Sequence, residues 1–390
     1  MEKFFKLKEK GTDVRTEMIA GITTFMTMAY ILAVNPSILG ATGMDSGAIF
    51  TATALASAIA SFCMAFLANL PFVLSAGMGL NAYFAYTVVL GMGYSWEVAL
   101  TAVFAEGLVF ILLSLTNVRE AIFNAIPQTL KYGVSVGIGL FICFIGLQNA
   151  HIAVDSATLV TIFSFSQSVK AGTFNSEGIT VLLALIGIII TGYLVIKGVK
   201  GNILIGIFVT WILGILCQLA GIYVPNPDAG FYSLIPSGVV SMPASIAPTL
   251  FKFDFSIIAE HPLDFFSVLF AFLFVDIFDT LGTLIGCASK ADMLDKDGKL
   301  PEIKGALLAD SIGTMVGACL GTSTITTFVE SSSGIAEGGR SGLTAVVSGI
   351  FFLLALFFSP IFLAIPSFAT APALVIVGFL MIQQVVKVEW

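Results

Sequence analysis

The sequence predicts an all-α polytopic membrane protein, and three observations carry that reading. The 390 residues are 57% hydrophobic and 11% charged, with a mean hydropathy of +1.02, whereas a soluble chain is about 25% charged. Apolar runs recur from end to end, and about 20 such residues suffice to cross a bilayer. The runs are continuous rather than alternating, which excludes a lipid-facing β-barrel. The net charge of −7 comes without the basic surface that nucleic-acid binding would need.

The charged opening, residues 1–17, lacks a cleavable apolar core and reads as an amphipathic cytosolic lead-in. Spans are expected at 18–34, 47–67, 72–92, 98–115, 122–147, 179–196 and 203–222, which together form a first repeat, 18–222. A polar connector at 223–262 carries Pro225, Pro227, Pro236, Pro243 and Pro248 and reads as a linker between halves. Further spans at 263–287, 303–320, 322–338, 343–358 and 361–386 form a second repeat, 263–390. With a cytosolic N-terminus and one crossing per span, all of the 17 Lys and Arg residues except Lys170 and Lys252 fall on the cytosolic side. The positive-inside rule therefore supports this layout.

Internal echoes give the architecture. Leu55-Ala56-Ser57-Ala58-Ile59 resembles Leu308-Ala309-Asp310-Ser311-Ile312. Leu100-Thr101-Ala102-Val103 recurs as Leu343-Thr344-Ala345-Val346, and Ile122-Phe123-Asn124-Ala125-Ile126-Pro127 as Ile361-Phe362-Leu363-Ala364-Ile365-Pro366. Spans two, four and five thus match spans nine, eleven and twelve. The repeat unit is seven helices, and an odd number enters the membrane from opposite sides in its two copies. That is an inverted repeat of the 7+7 kind found in secondary transporters. The second copy holds five spans where the first holds seven, so the last two helices are expected to be missing and the chain to be a C-terminally truncated fragment.

The chemistry concentrates in three stretches. Asp276 and Asp279 lie three residues apart within an apolar span, on one helical face. A charge at mid-bilayer costs roughly 2.5–3.5 kcal/mol on insertion scales, so such acids mark a substrate or ion pathway. The third span opens Pro71-Phe72-Val73-Leu74-Ser75-Ala76-Gly77-Met78-Gly79-Leu80-Asn81, a poor helix start. Its partner, the tenth span, opens Gly321-Thr322-Ser323-Thr324-Ile325-Thr326-Thr327-Phe328-Val329, which favours a short strand. Glu330-Ser331-Ser332-Ser333-Gly334 then supplies polar groups and a helix start. Discontinuous spans at corresponding repeat positions point to a binding site. Asp276, Asp279, Glu330 and Asn81 are expected to converge there, with Phe274, Phe278 and Phe328 as flat apolar faces. A planar, neutral, N–H-rich heterocycle suits acceptor-rich carboxylates and an amide. An anion does not. Burial disfavours the charged form of an acid, which fits proton coupling, with sodium as the alternative ion.

These same segments, Phe274-Val275-Asp276-Ile277-Phe278-Asp279-Thr280, Thr326-Thr327-Phe328-Val329-Glu330-Ser331 and Ser75-Ala76-Gly77-Met78-Gly79-Leu80-Asn81, resemble the AzgA-type adenine/guanine/hypoxanthine permeases of the nucleobase–cation symporters. The resemblance implies a uracil-permease-like fold of 14 helices, with a core domain (spans 1–4 and 8–11) and a gate domain (spans 5–7 and 12). It implies proton-coupled purine uptake across the cytoplasmic membrane by an elevator-type movement, and a homodimer for the full-length protein. The family's site residues match Asn81, Asp276, Asp279 and Glu330; Phe328 and Ser331 are expected to join them in substrate binding, and Asp276 and Glu330 to carry proton coupling. No cofactor, metal or catalytic residue is expected. A sulfate-permease-like anion carrier and a channel are the alternatives. Glu106 and Asp310, also within spans, read as structural acids; Thr23, Thr24 and Thr27 as helix–helix contacts; Glu337 and Arg340 as a local pair. The five cysteines read as small core side chains.

Overall fold

The computed structural model describes all residues except 1, 117, 119–126, 157–158, 228–229, 297–298 and 388–390. The start of the fifth span, its echo at 122–126 and Arg119 therefore lie outside the described residues. Asp13 opens the first span by accepting a hydrogen bond from the Thr16 amide at 3.0 Å, as an N-cap should. Helix α1 (Val14–Met28) breaks at Ala29-Tyr30 and resumes as α2 (Ile31–Gly40). Asp45 caps α3 (Ser46–Cys63). Strand β1 (Leu74–Ala76) leads into the short helix α4 (Met78–Ala82). Ser95 caps α5 (Trp96–Leu115). Then come α6 (Gln128–Asn149), a hairpin of β2 (Ala153–Ser156) and β3 (Leu159–Ile162), α7 (Ile179–Ile196) and α8 (Asn202–Leu219). Pro262, at the first turn, opens α9 (Pro262–Lys290). Helix α10 (Ile303–Leu320) stops at Gly321, whose φ of 100° only glycine tolerates well. Strand β4 (Ile325–Thr327), helix α11 (Ser331–Ala336), α12 (Gly342–Ala355) and α13 (Ser367–Ile382) complete the chain.

Ten helical stretches among the described residues are long and apolar enough to cross a membrane. The third and tenth spans are not among them. Each opens with a three-residue strand, as the sequence predicts; in the tenth a short helix follows, and in the third the helix begun at Met78 runs on as a wider-turn segment, Tyr83–Gly91.

The chain divides into two compact units. The first comprises 1–134 and 242–357. In it α10 packs on α5 while α3 packs on α12, and α1 packs on α12 while α9 packs on α5. Exchanging spans one, two and four for eight, nine and eleven turns each pair into the other, so the packing repeats the inverted symmetry. Close approach needs small residues. A Cβ on Gly107 would fall 2.7 Å from the Met315 amide nitrogen, so glycine is what lets α5 meet α10. The second unit, 135–241 and 358–390, packs α7, α8 and α13 together. It bears a partly open cavity of about 530 Å³ lined in part by His151, Tyr223 and Phe368.

The connector at 223–262 departs from the expected linker. Tyr223 is buried and donates to the Tyr232 carbonyl at 2.7 Å. Thr249 is fully buried and donates to the Leu320 carbonyl at 2.9 Å. The prolines prevent regular structure without preventing packing, because polar groups of the segment find partners, Tyr223 within the connector and Thr249 at the end of α10.

Candidate functional site

The site is built on the two broken spans. Strands β1 and β4 pair antiparallel, with Leu74 opposite Thr327, Ser75 opposite Thr326 and Ala76 opposite Ile325. The Gly77 amide extends the ladder to the Thr324 carbonyl, and the Phe328 amide to the Val73 carbonyl, both at 3.0 Å. All six strand residues are buried. Backbone polar groups at membrane depth require such partners, and each strand supplies the other's. Each short helix starts at the end of its own strand, so two helix N-termini flank the pair.

Glu330 stands at the start of α11 and is half-buried. Its Oε1 accepts a hydrogen bond from the Tyr30 hydroxyl at 2.7 Å. Tyr30 sits in the break between α1 and α2 with only 1% of its surface exposed. Asp279, also half-buried, lies beside Gly77 and Thr326 and within electrostatic reach of Glu330 and Tyr30. Asp279, Glu330 and Tyr30 therefore form an acceptor-rich cluster contributed by both halves of the chain.

Asp276 is placed differently. It is fully buried, and its Oδ1 is 2.9 Å from the Thr280 hydroxyl. That hydroxyl is also 2.9 Å from Asp310 Oδ1 and 2.9 Å from Thr326 Oγ1. Residues three apart on a helix are rotated by about 60° from one another. This offset turns Asp276 inward toward α10 while Asp279 stays partly open.

Asn81 lies one turn beyond Gly77, with its amide bonded to the Gly77 carbonyl at 2.8 Å. Its Oδ1 accepts from the Ser323 hydroxyl. Its Nδ2 is buried and makes no hydrogen bond, so a donor is left for an incoming acceptor. The neighbouring Thr324 donates to Glu106 Oε2 at 2.6 Å, which ties the acid of α5 to the tenth span. Phe328 is buried, and Phe274 meets Phe278 edge-on at 4.6 Å. Ser331 is fully buried, and its hydroxyl accepts from the Val73 amide at 3.0 Å. It fastens one broken span to the other.

Two residues escaped the sequence reading. Tyr30 looks like an ordinary aromatic in an apolar run. Glu17 looks like a charge at the membrane edge, yet it is fully buried. Its carboxylate accepts from the Arg340 amide at 2.8 Å, the Ser341 amide at 3.1 Å and the Thr344 amide and hydroxyl at 3.1 and 2.6 Å. It caps α12 from another helix and satisfies N–H groups that the helix cannot satisfy itself. A lone acid just inside an apolar run was the available signal.

A family model described as Permease family matches residues 15–390. The guanine/hypoxanthine permease PbuG of Bacillus subtilis (strain 168) is 46% identical over 405 residues, an alignment covering 100% of this chain and 85% of that protein. The adenine permease AdeP of Escherichia coli (strain K12) is 41% identical over 391 residues, covering 100% and 82%. Among solved structures, the transmembrane domain of a cyanobacterium bicarbonate transporter, BicA, superposes with a TM-score of 0.68 at 17% identity, over 94% of this chain and 88% of that one. At that identity the likeness speaks for the inverted-repeat fold alone.

Proposed function

The chain belongs to the Permease family, and from that premise we propose that it carries purine nucleobases into the cell across the cytoplasmic membrane, with protons as the coupling ion. As a family member it is a transporter and not an enzyme. Relatives named for guanine, hypoxanthine and adenine, at 41–46% identity, support purines as the substrate class. The chemistry of the site supports the same class. Carboxylates accept hydrogen bonds from ring and exocyclic N–H groups, and the free Asn81 Nδ2 can serve a ring nitrogen or carbonyl. Two acids at the opening would repel an anion.

In this reading Asp279 and Glu330 grip one edge of the base, and Asn81 reads another. Phe328 borders the ring, and Ser331 holds the scaffold. Asp276 and Glu330 are the proton-coupling acids. The first unit holds every one of these residues and acts as the core domain. The second acts as the gate domain. An elevator-type movement of the core is the proposed cycle. The distribution of Lys and Arg supports a cytosolic N-terminus.

The observation that carries this reading is that the strand pair of the two broken spans is flanked by acids: Asp279 of α9 lies beside Gly77, and Glu330 at the start of α11 is held by Tyr30. Uptake of radiolabelled hypoxanthine by cells lacking their own purine carriers tests it. Uptake should saturate, be competed by guanine or adenine and not by sulfate, and collapse when the proton gradient is dissipated. Glu330→Gln and Asp279→Asn should each reduce it about tenfold or more, because a hydrogen bond to a charged group is worth about 1.5–3 kcal/mol. Uptake unaffected by either substitution, or competed by sulfate, would refute the assignment.

A further inference from the structure

The Thr280 hydroxyl has more partners than a single proton can serve. A hydroxyl offers one hydrogen and two lone pairs. Around Thr280 Oγ1 stand Asp276 Oδ1, Asp310 Oδ1 and Thr326 Oγ1, each at 2.9 Å. All four side chains are essentially without solvent exposure. If Thr280 donates to one carboxylate, the other carboxyl must donate to Thr280, and the Thr326 hydroxyl fills the last lone pair, its single hydrogen then turned to Thr280 and away from the Asp279 carboxyl beside it. If Thr280 donates to Thr326 instead, both carboxyls must be protonated. Two bare carboxylates leave one oxygen facing a lone pair with no proton between, a costly arrangement away from water.

We propose that Asp276, Thr280 and Asp310 form a buried proton-holding site in which the two carboxyl groups share one proton through the threonine hydroxyl, and that this is the proton exchanged during transport. The inference deepens the permease reading and rests on it for the coupling role. Asp310 thereby moves from a structural acid of α10 to the partner of Asp276 in coupling, in place of Glu330, which is left to the substrate. The other titratable groups nearby are Asp279 and Glu330 on the substrate side and Glu106 on α5. The link between the two acid clusters is Thr326, which touches Thr280 and lies beside Asp279. A base seated on Asp279 is thus one side chain away from the proton. The balance is simple: one proton enters the pair from one side of the membrane and leaves to water on the other, with the Thr280 hydrogen reorienting between the two carboxyls.

Infrared spectroscopy of the purified full chain at neutral pH reads the shared proton without transport. The carbonyl stretch of a protonated carboxylic acid should be present in the wild type. Asp276→Asn and Asp310→Asn should each remove the same band, because an amide donor replaces the acid and leaves its partner ionised. The double variant should remove no more. Thr280→Ser should keep the band. In Asp279→Asn and Glu330→Gln it should persist. Absence of the band, or two bands lost one per variant, would overturn the proposal. Proteoliposomes then test coupling: the ratio of protons to hypoxanthine taken up should fall at least tenfold in Asp310→Asn and be retained in Thr280→Ser, whereas a merely structural role would lower both fluxes together. A ratio unchanged in Asp310→Asn, or uptake that requires sodium, would refute the coupling role. Failure of the wild type to move any purine would instead refute the permease reading, with the infrared result still deciding whether the proton is shared.

Discussion

Glu330 is held at a fixed angle by a phenol from the first span, and that single bond defines how the cluster faces a ligand. The Tyr30 hydroxyl donates to Glu330 Oε1 at 2.7 Å, which leaves Oε2 and the remaining lone pairs for a substrate. Tyr30→Phe keeps the ring and deletes the donor. Hypoxanthine affinity should fall roughly tenfold, the worth of a charge-assisted hydrogen bond used for positioning, and equilibrium binding to the purified chain reads it. Affinity equal to that of the wild type would show that Glu330 is oriented by something else. At this scale the sequence discloses identity better than direction. Asp276 and Asp279 are visible as membrane-depth acids on one face. Which of them is sealed follows from a rotation of about 60° against a neighbouring helix, and no local pattern encodes that. Tyr30 and Glu17 acquire roles only from residues some 300 positions away.

The broken spans are the elements best announced by the sequence. The run Thr322-Ser323-Thr324-Ile325-Thr326-Thr327 is β-branched throughout apart from its serine, and stiff branched side chains favour extended backbone over helix. The matching segment 72–77 carries no such composition and was legible only through the repeat. What stayed hidden was how α11 seats. Gly334 lies against α1, and a Cβ there would meet the Ala20 carbonyl oxygen at 2.7 Å. Gly334→Ala should therefore displace α11, and Glu330 with it. We expect overpacking of about 1–3 kcal/mol, seen as a lower melting temperature together with lost purine binding. Gly338→Ala, at a φ of +99°, would be destabilised by backbone strain instead. An unchanged melting temperature in Gly334→Ala would mean that the two helices are free to separate.

At the scale of the whole molecule, the fold follows from an odd repeat. Seven spans invert the second copy, and the inversion brings β1 and β4 together antiparallel and pairs helices in matched sets. The echoes at 55–59 and 100–103 were enough to read this because an apolar chain still distinguishes interface positions by small and hydroxyl side chains. The packed connector was unreadable for the opposite reason: prolines announce irregular backbone and say nothing of what it rests on. Fold and site thus rest on one arrangement, in which acids of the second half and a donor amide of the first surround a buried strand pair. Calorimetric titration of the purified chain with hypoxanthine tests that arrangement most directly. The account predicts saturable binding to the wild type, weakened about ten- to a hundredfold by Asp279→Asn and by Glu330→Gln, and unchanged by Asp254→Asn in the connector. Equal affinity in all four proteins would contradict it.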